Sequence, residues 1–430
     1  MERKIVRHLL EWKNNPSRQP LLLQGARQVG KTYSLLSFGK SHYRNTTYFN
    51  MEDSKELPMI FERDLNPERI IRELAARSGQ SIFPGETLII LDEIQACERA
   101  LASLKYFAES ASEYHIATAG SLLGVAMHRD RYSFPVGKVD LMRMYPLDFE
   151  EFLLALSQEK LVSLIREYYD AMLPLPLHDT AMDIYRHYLV TGGMPRIVSE
   201  FAQRRDFDYV IAMQRSLNDS FIADMAKYAS YQDTNRIMAV WASLPAQLSK
   251  ENRKFQYKLI RSGARSGEYE PALDWLKAAG LILECSMVSE GKLPLAAYAV
   301  NGMFKVYMAD TGLLCSKMDI APHVVLHMPH SFDGFKGALA ENYIMQELVA
   351  KGIKPYYWSS QGKAEVDFLF QDRHGGIVPL EVKAADNVRS RSLGIYRSRY
   401  EPGFAIRVSA RNFGFDNGIK SIPLYAVFCM

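Results

Sequence analysis

Short apolar runs separated by helix-length stretches organise the first third of the chain: LLL at 21–23, TYF at 47–49, TLIIL at 87–91 and HIATA at 115–119. Strands buried on both faces need continuous apolar runs rather than alternation, so this pattern predicts a parallel sheet covered by helices. The α/β pattern runs over residues 1–146. Beyond Tyr145-Pro146 the periodicity turns helical, in FEEFLLALSQEKLVSLIREYYDAM, DTAMDIYRHYLVTGG and IAMQRSLNDSFIADMAKY, with a break at Pro174 and Pro176. These segments predict a helical region over 147–235.

Residues 236–315 read as a winged-helix domain. RIMAVWASLPAQLS, FQYKLIRS and EYEPALDWLKAAG supply three helices, and LILECSMVS and LPLAAYAVN a two-strand wing turned at Glu290-Gly291. Such a third helix often enters the major groove. Here it carries Glu268, Glu270 and Asp274 against Lys277, a poor surface to press on phosphates, so packing against a neighbouring domain is the expectation. Residues 316–336 lack periodicity and read as a linker whose His323, His327 and His330 are loop histidines; 337–430 read as a last α/β domain.

Composition changes this picture little. With 48% hydrophobic and 23% charged residues in 430, the chain is a folded protein of several domains rather than a disordered one. A net charge of +3 neither requires nor excludes nucleic acid, whose footprint is a local cluster. Cys97, Cys285, Cys315 and Cys429 form no Cys-x-x-Cys pair. The basic start lacks the apolar run of a signal peptide, and no segment has the apolar length of a membrane span, so no membrane partner and a cytoplasmic location are expected.

Candidate chemistry begins at Gly25-Ala26-Arg27-Gln28-Val29-Gly30-Lys31-Thr32, which satisfies G-x-x-x-x-G-K-[ST] between a strand and a helix. Gly25 and Gly30 allow a tight loop whose N–H groups converge on phosphates, and the helix N-terminus adds its positive end. Lys31 would reach the β- and γ-phosphates of ATP, and Thr32 would ligate Mg²⁺. The strand in LIILDEIQ at 88–95 ends in Asp92-Glu93, where Asp92 suits Mg²⁺ through water and Glu93 polarisation of an attacking water.

On PLLLQGARQVGKT, LIILDEIQ, ATAGSLLG, SFPVGKVDLMRMYPLDFEEF, YLVTGGMPRIV, EVDFLF and PLEVK, the chain resembles a large prokaryotic group of predicted AAA+ P-loop ATPases. Members carry a C-terminal domain of unknown function resembling the PD-(D/E)xK nucleases. The resemblance implies an α/β protein: a P-loop AAA+ parallel-sheet core, a helical lid, a winged helix and a C-terminal restriction-endonuclease-like domain. It makes Ser121 the candidate γ-phosphate sensor, against a reading as a serine that merely ends a strand. Gly192-Gly193-Met194-Pro195 resembles a Gly-x-Pro element pressing a lid helix on nucleotide through Pro195; read alone, it is a turn and a helix start. Arg129, Arg131 and Arg143 are alternative arginine fingers, while the group's frequent Gly-Arg is Gly137-Lys138 here.

In EVDFLFQDRHGGIVPLEVKAAD, Glu381 and Lys383 lie two apart on one strand and so share a face. Asp367 stands on the preceding strand, across a hairpin at His374-Gly375-Gly376, and the helix GALAENYIMQELVA offers Glu341. Glu341, Asp367 and Glu381 would hold Mg²⁺, with Lys383 orienting the activated water, as phosphodiester cleavage requires. The plain alternative for E-x-K is an exposed ion pair. Seven basic residues, Lys383, Arg389, Arg391, Arg397, Arg399, Arg407 and Arg411, would suit a DNA or RNA backbone. The expectation is an ATPase switch controlling this domain. Its alternatives are an ATPase whose terminal domain binds nucleic acid or protein without cutting, and a winged-helix DNA-binding regulator; a protein partner or homo-oligomer is a further candidate.

Overall fold

The computed structural model describes residues 3–120, 135–250, 254–360, 364–383 and 391–430. The chain divides into two compact units, Glu2–Tyr145 with Ala278–Gly280, and Pro146–Lys277 with Leu281–Met430.

The first unit is built on five parallel strands: β1 (Leu21–Gln24), β2 (Asn45–Asn50), β3 (Thr87–Asp92), β4 (His115–Gly120) and β5 (Asp140–Arg143), in the order β2-β3-β4-β1-β5. The four apolar runs become β1–β4. All residues of β3 and β4 are buried, as interior strands of a covered parallel sheet must be. Strand β5 escapes the apolar-run criterion because it lies at an edge, with Leu141 and Arg143 exposed. The opposite edge strand, β2, alternates instead, so Tyr48 faces outward while Thr47 and Phe49 are buried.

One face of this sheet packs Ile89, Leu91 and Ile116 against Phe61, Ile70, Leu74, Leu104 and Phe107 from the surrounding helices. Each such side chain contributes about 1.5–3 kcal/mol on leaving water. The helix Pro67–Ser78 starts where Pro67 needs no N–H partner and the Asn66 side chain accepts from the Arg69 N–H.

The second unit joins a helical region to an eight-stranded mixed sheet. Its strands are β6 (Ile282–Val288), β7 (Ala299–Met308), β8 (Tyr356–Ser359), β9 (Glu365–Gln371), β10 (Ile377–Lys383), β11 (Ala405–Ser409), β12 (Gly414–Asp416) and β13 (Ile419–Pro423). They run in the order β12-β13-β11-β10-β9-β8-β6-β7. The expected helices appear at Phe149–Ala155, Glu159–Ala171, His178–Thr191, Pro195–Arg204, Phe207–Tyr228 and Tyr231–Leu248.

The winged-helix expectation departs from the structure in three places. FQYKLIRS forms a single 3₁₀ turn, Tyr257–Leu259, rather than a helix. The second wing strand begins at Ala299, because Leu295–Tyr298 makes a 3₁₀ turn. The hairpin is not a free wing: β6 pairs in parallel with β8, which makes β6 and β7 one end of the terminal sheet. Strand β6 is mostly buried and has strand partners on both sides, so the hairpin is built into the sheet rather than projecting from it. The expected linker likewise contains the helix Pro322–His327 and the first turn of Asp333–Ala350.

Candidate functional site

Strand β1 delivers the chain to a loop whose backbone demands glycine at both ends. Gly25 has φ +155°, and a Cβ there would lie 2.2 Å from the Met144 carbonyl oxygen. Gly30, at φ +92°, turns the chain left-handed immediately before the helix Lys31–His42. Between them Gln28 also adopts a positive φ, 64°, and Val29 is fully buried. The loop is held from outside by Arg3, whose guanidinium donates to the carbonyls of Val29 at 3.0 Å and Tyr145 at 2.8 Å.

Lys31 donates to the carbonyls of Gly25 and Ala26, each at 2.9 Å, so its ammonium lies under the loop. Burial lowers its pKa to about 8; Glu93 and Asp92 oppose the shift and Arg27 adds to it. The Thr32 hydroxyl donates to Asp92 Oδ2 at 2.7 Å, joining the helix start to the end of β3. Tyr48 of β2 donates to the same oxygen at 3.0 Å. Glu93 follows in a left-handed conformation, φ 47°, and its carboxylate accepts from the Gln95 amide. Hydroxyl and carboxylate oxygens meeting at one point are the hard donors that suit Mg²⁺, which keeps water and phosphate oxygens as further ligands.

Parallel register places the carboxyl ends of β1 and β4 side by side, Gln24 opposite Gly120. Ser121, the expected sensor, and Arg129 and Arg131 lie outside the described residues. Arg143 is exposed at the end of β5, and Lys138 pairs with Glu109 at 3.1 Å.

The Gly192-Gly193 element belongs to the second unit. Gly193 N–H donates to Asp310 Oδ2 at 2.6 Å, its carbonyl accepts from Leu147 N–H at 2.7 Å, and a Cβ on it would lie 2.1 Å from the Leu147 carbonyl. Asp310 is fully buried, and burial raises its pKa to about 6 against the N–H groups of Gly193, Leu313 and Gly312. Pro195 occupies the first turn of Pro195–Arg204. The structure thus gives the two glycines packing roles beside Asp310 and Leu147.

Of the C-terminal set, Asp367 and Glu381 stand on the neighbouring antiparallel strands β9 and β10. The β9–β10 ladder runs to Leu380 opposite Phe368, the residues next to Glu381 and Asp367. There the Asp367 carboxylate accepts from Val382 N–H at 2.8 Å. Glu381, 4% exposed, lies 2.8 Å from the Lys383 ammonium. Glu341, on Asp333–Ala350, is 5% exposed and accepts from the Tyr307 hydroxyl at 3.1 Å. Lys305, which no motif in the sequence marks, lies 3.8 Å from Glu341 and 2.7 Å from Glu365. Among the described residues no three acidic, histidine or cysteine side chains converge to hold an ion. Lys383 meets Glu381 Oε1, Val382 N–H meets Asp367 Oδ2 and Lys305 lies near Glu341 Oε2, so protein cations and an N–H donor already serve one oxygen of each carboxylate that was expected to hold a divalent ion.

The basic run is partly engaged as well. Arg399 pairs with Glu290 at 2.8 Å and Arg397 donates to the Asn417 carbonyl, while Arg391 and Arg411 are exposed and Arg389 lies outside the described residues.

Comparison with known proteins fits the first unit's geometry. Residues 17–153 match the family model of an AAA domain. The N-terminal unit is an AAA-type P-loop ATPase domain. Residues 182–323 match a domain of unknown function, DUF8612, and 336–427 another, DUF4143. None of the curated proteins matches the chain.

Among solved structures, the chain is similar to a Walker-type ATPase of Pyrococcus abyssi, at 17% identity over 74% of this chain and 95% of that one, TM-score 0.45. The ORC2 protein of Aeropyrum pernix, in ADPNP and ADP complexes, matches at 13% identity over 75% and 92%, TM-score 0.37. AMPPCP-bound DnaA from Aquifex aeolicus matches at 17% identity over 64% and 86%, TM-score 0.30. At these identities and scores the likeness extends to no function. No helix among the described residues is long and apolar enough to cross a membrane.

Proposed function

We propose that this chain is an ATP-binding, Mg²⁺-dependent ATPase that acts as a nucleotide switch on its C-terminal unit. The observation that carries the reading is the Thr32–Asp92 hydrogen bond of 2.7 Å beside a glycine-gated loop that buries Lys31. Phosphates would be cradled by N–H groups of Gly25 to Thr32, Lys31 would meet their negative charge, Thr32 and Asp92 would hold Mg²⁺, and Glu93 would take a proton from the attacking water. Ser121 remains the candidate sensor and Pro195 the candidate lid contact. The test is nucleotide affinity and turnover in the native chain and in Lys31→Ala, with limited proteolysis of the C-terminal unit with and without ATP. Lys31→Ala that leaves affinity and ATP-dependent proteolysis unchanged refutes the switch.

For the domain under control, cleavage by Asp367, Glu381 and Lys383 with Mg²⁺ held through Glu341 is one reading. A specific observation favours the second, a surface that binds nucleic acid or protein without cutting: Lys383 and Lys305 already neutralise carboxylates that a metal would need. A plasmid and single-strand cleavage assay in Mg²⁺ or Mn²⁺ separates them, since scission abolished by Asp367→Ala supports only the first. The winged-helix regulator is the weakest reading, because Lys277 of the acidic helix is tied to Asp274 at 2.8 Å and Glu284 at 2.7 Å.

A further inference from the structure

Lys305 is 1% exposed, and an ammonium at that depth has to be met by anions. Glu365 supplies one at 2.7 Å and Glu341 lies at 3.8 Å. These partners come from distant parts of the second unit. Lys305 is on β7, at one end of the sheet; Glu365 is on β9, beyond β6 and β8; Glu341 is on Asp333–Ala350. Beneath the lysine stem, β6 presents the buried Cys285 opposite Lys305, and the Tyr357 ring of β8 lies 5.0 Å from the ammonium. Tyr307, two residues along the same face of β7, donates to the Glu341 oxygen nearest Lys305.

We propose that Lys305 is the resident cation of the C-terminal carboxylate cluster, its ammonium holding Glu341 and Glu365 where a divalent ion would otherwise be needed. A metal and this ammonium compete for Glu341, because both are cations seeking the same carboxylate oxygens. The cluster is therefore set by protein charges alone, and it orders β7, β9 and the helix Asp333–Ala350 without a metal. The inference rests on the binding reading above only for its consequence, a domain that engages its target without metal-dependent scission.

The test uses the full chain without nucleotide, carrying Asp92→Asn to silence the P-loop carboxylate, and follows Mn²⁺ binding from the free-ion paramagnetic resonance signal. The expected result is no Mn²⁺ bound through Glu341: any binding seen is unchanged by Glu341→Gln. Adding Lys305→Met tightens Mn²⁺ binding by at least about tenfold, and Glu341→Gln then reverses the gain. Mn²⁺ bound by the Lys305-containing chain and lost with Glu341→Gln overturns the inference, as does a folded Lys305→Met chain that gains nothing. Where Lys305→Met fails to fold, the Lys305-containing pair, with and without Glu341→Gln, decides alone. ATP turnover of the native chain is measured separately, so failure of the ATPase reading and failure of this one are told apart.

Discussion

Lys31 offers a test of the nucleotide site through protons. Burial lowers its ammonium from 10.5 to about 8. A bound triphosphate brings negative charge beside it and restores its hold on the proton, so ATP binds the protonated form. Above pH 8 each further unit therefore removes about tenfold of the competent fraction. At about pH 9 roughly one site in eleven is charged, a loss of about 1.4 kcal/mol in apparent affinity. For stability the sign follows from the depressed value: between pH 8 and 10.5 the unfolded lysine keeps a proton that the folded one has lost, so this group's contribution to nucleotide-free stability rises with pH across that window. Titration calorimetry between about pH 7.5 and 9.5, in two buffers of different ionisation enthalpy, reads the coupling directly. Proton uptake should climb toward one per ATP bound, and Lys31→Met should abolish it along with most of the affinity. Affinity that stays flat over that range, with heats independent of buffer, refutes the placement of Lys31 against the phosphates.

Gly25→Ala should abolish nucleotide binding, since its Cβ would press 2.2 Å from the Met144 carbonyl at a φ of +155°; equilibrium binding of a fluorescent ATP analogue checks it, and retained affinity contradicts the loop geometry. Tyr48→Phe removes one of the two hydroxyl donors on Asp92 Oδ2, worth about 0.5–1.5 kcal/mol, and should alter the Mg²⁺ dependence of ATP turnover while leaving metal-free nucleotide affinity unchanged. Glu365→Gln takes from buried Lys305 its nearer carboxylate. With Glu365 27% exposed, a loss near the low end of about 3–5 kcal/mol is expected from urea unfolding of the second unit, and an unchanged midpoint tells against the ion pair.

The ATPase domain was largely legible because its chemistry is local. A loop of eight residues and a strand ending in two carboxylates name their own partners, and buried parallel strands announce themselves as unbroken apolar runs. Strand β5 was missed because it lies at a sheet edge, where one side faces water and the apolar run gives way to alternation; Tyr48, inside a run that was read as a strand, was missed because its hydroxyl meets Asp92, 44 residues away. Arg3 was missed because a basic N-terminal stretch reads as solvated; its two carbonyl partners are 26 and 142 residues away. Nothing in the spacing of the chain connects them.

The terminal sheet shows where local reading ends. LILECSMVS was correctly a strand, but β8, some seventy residues on, joins it and carries the hairpin into the terminal eight-stranded sheet. That pairing is what makes Lys305 consequential. On a free wing it would be one more surface lysine; at the end of a continuous sheet its ammonium is carried to Glu341 and Glu365 and sealed from water. The E-x-K pattern at Glu381 and Lys383 is readable because both residues share one strand, whereas the cation that meets Glu341 comes from a strand that sequence alone assigns to another domain. Whether a carboxylate cluster binds metal depends on every charge the fold delivers to it, so a motif that names only the acids and one lysine leaves the sign of the answer open until the sheet is known.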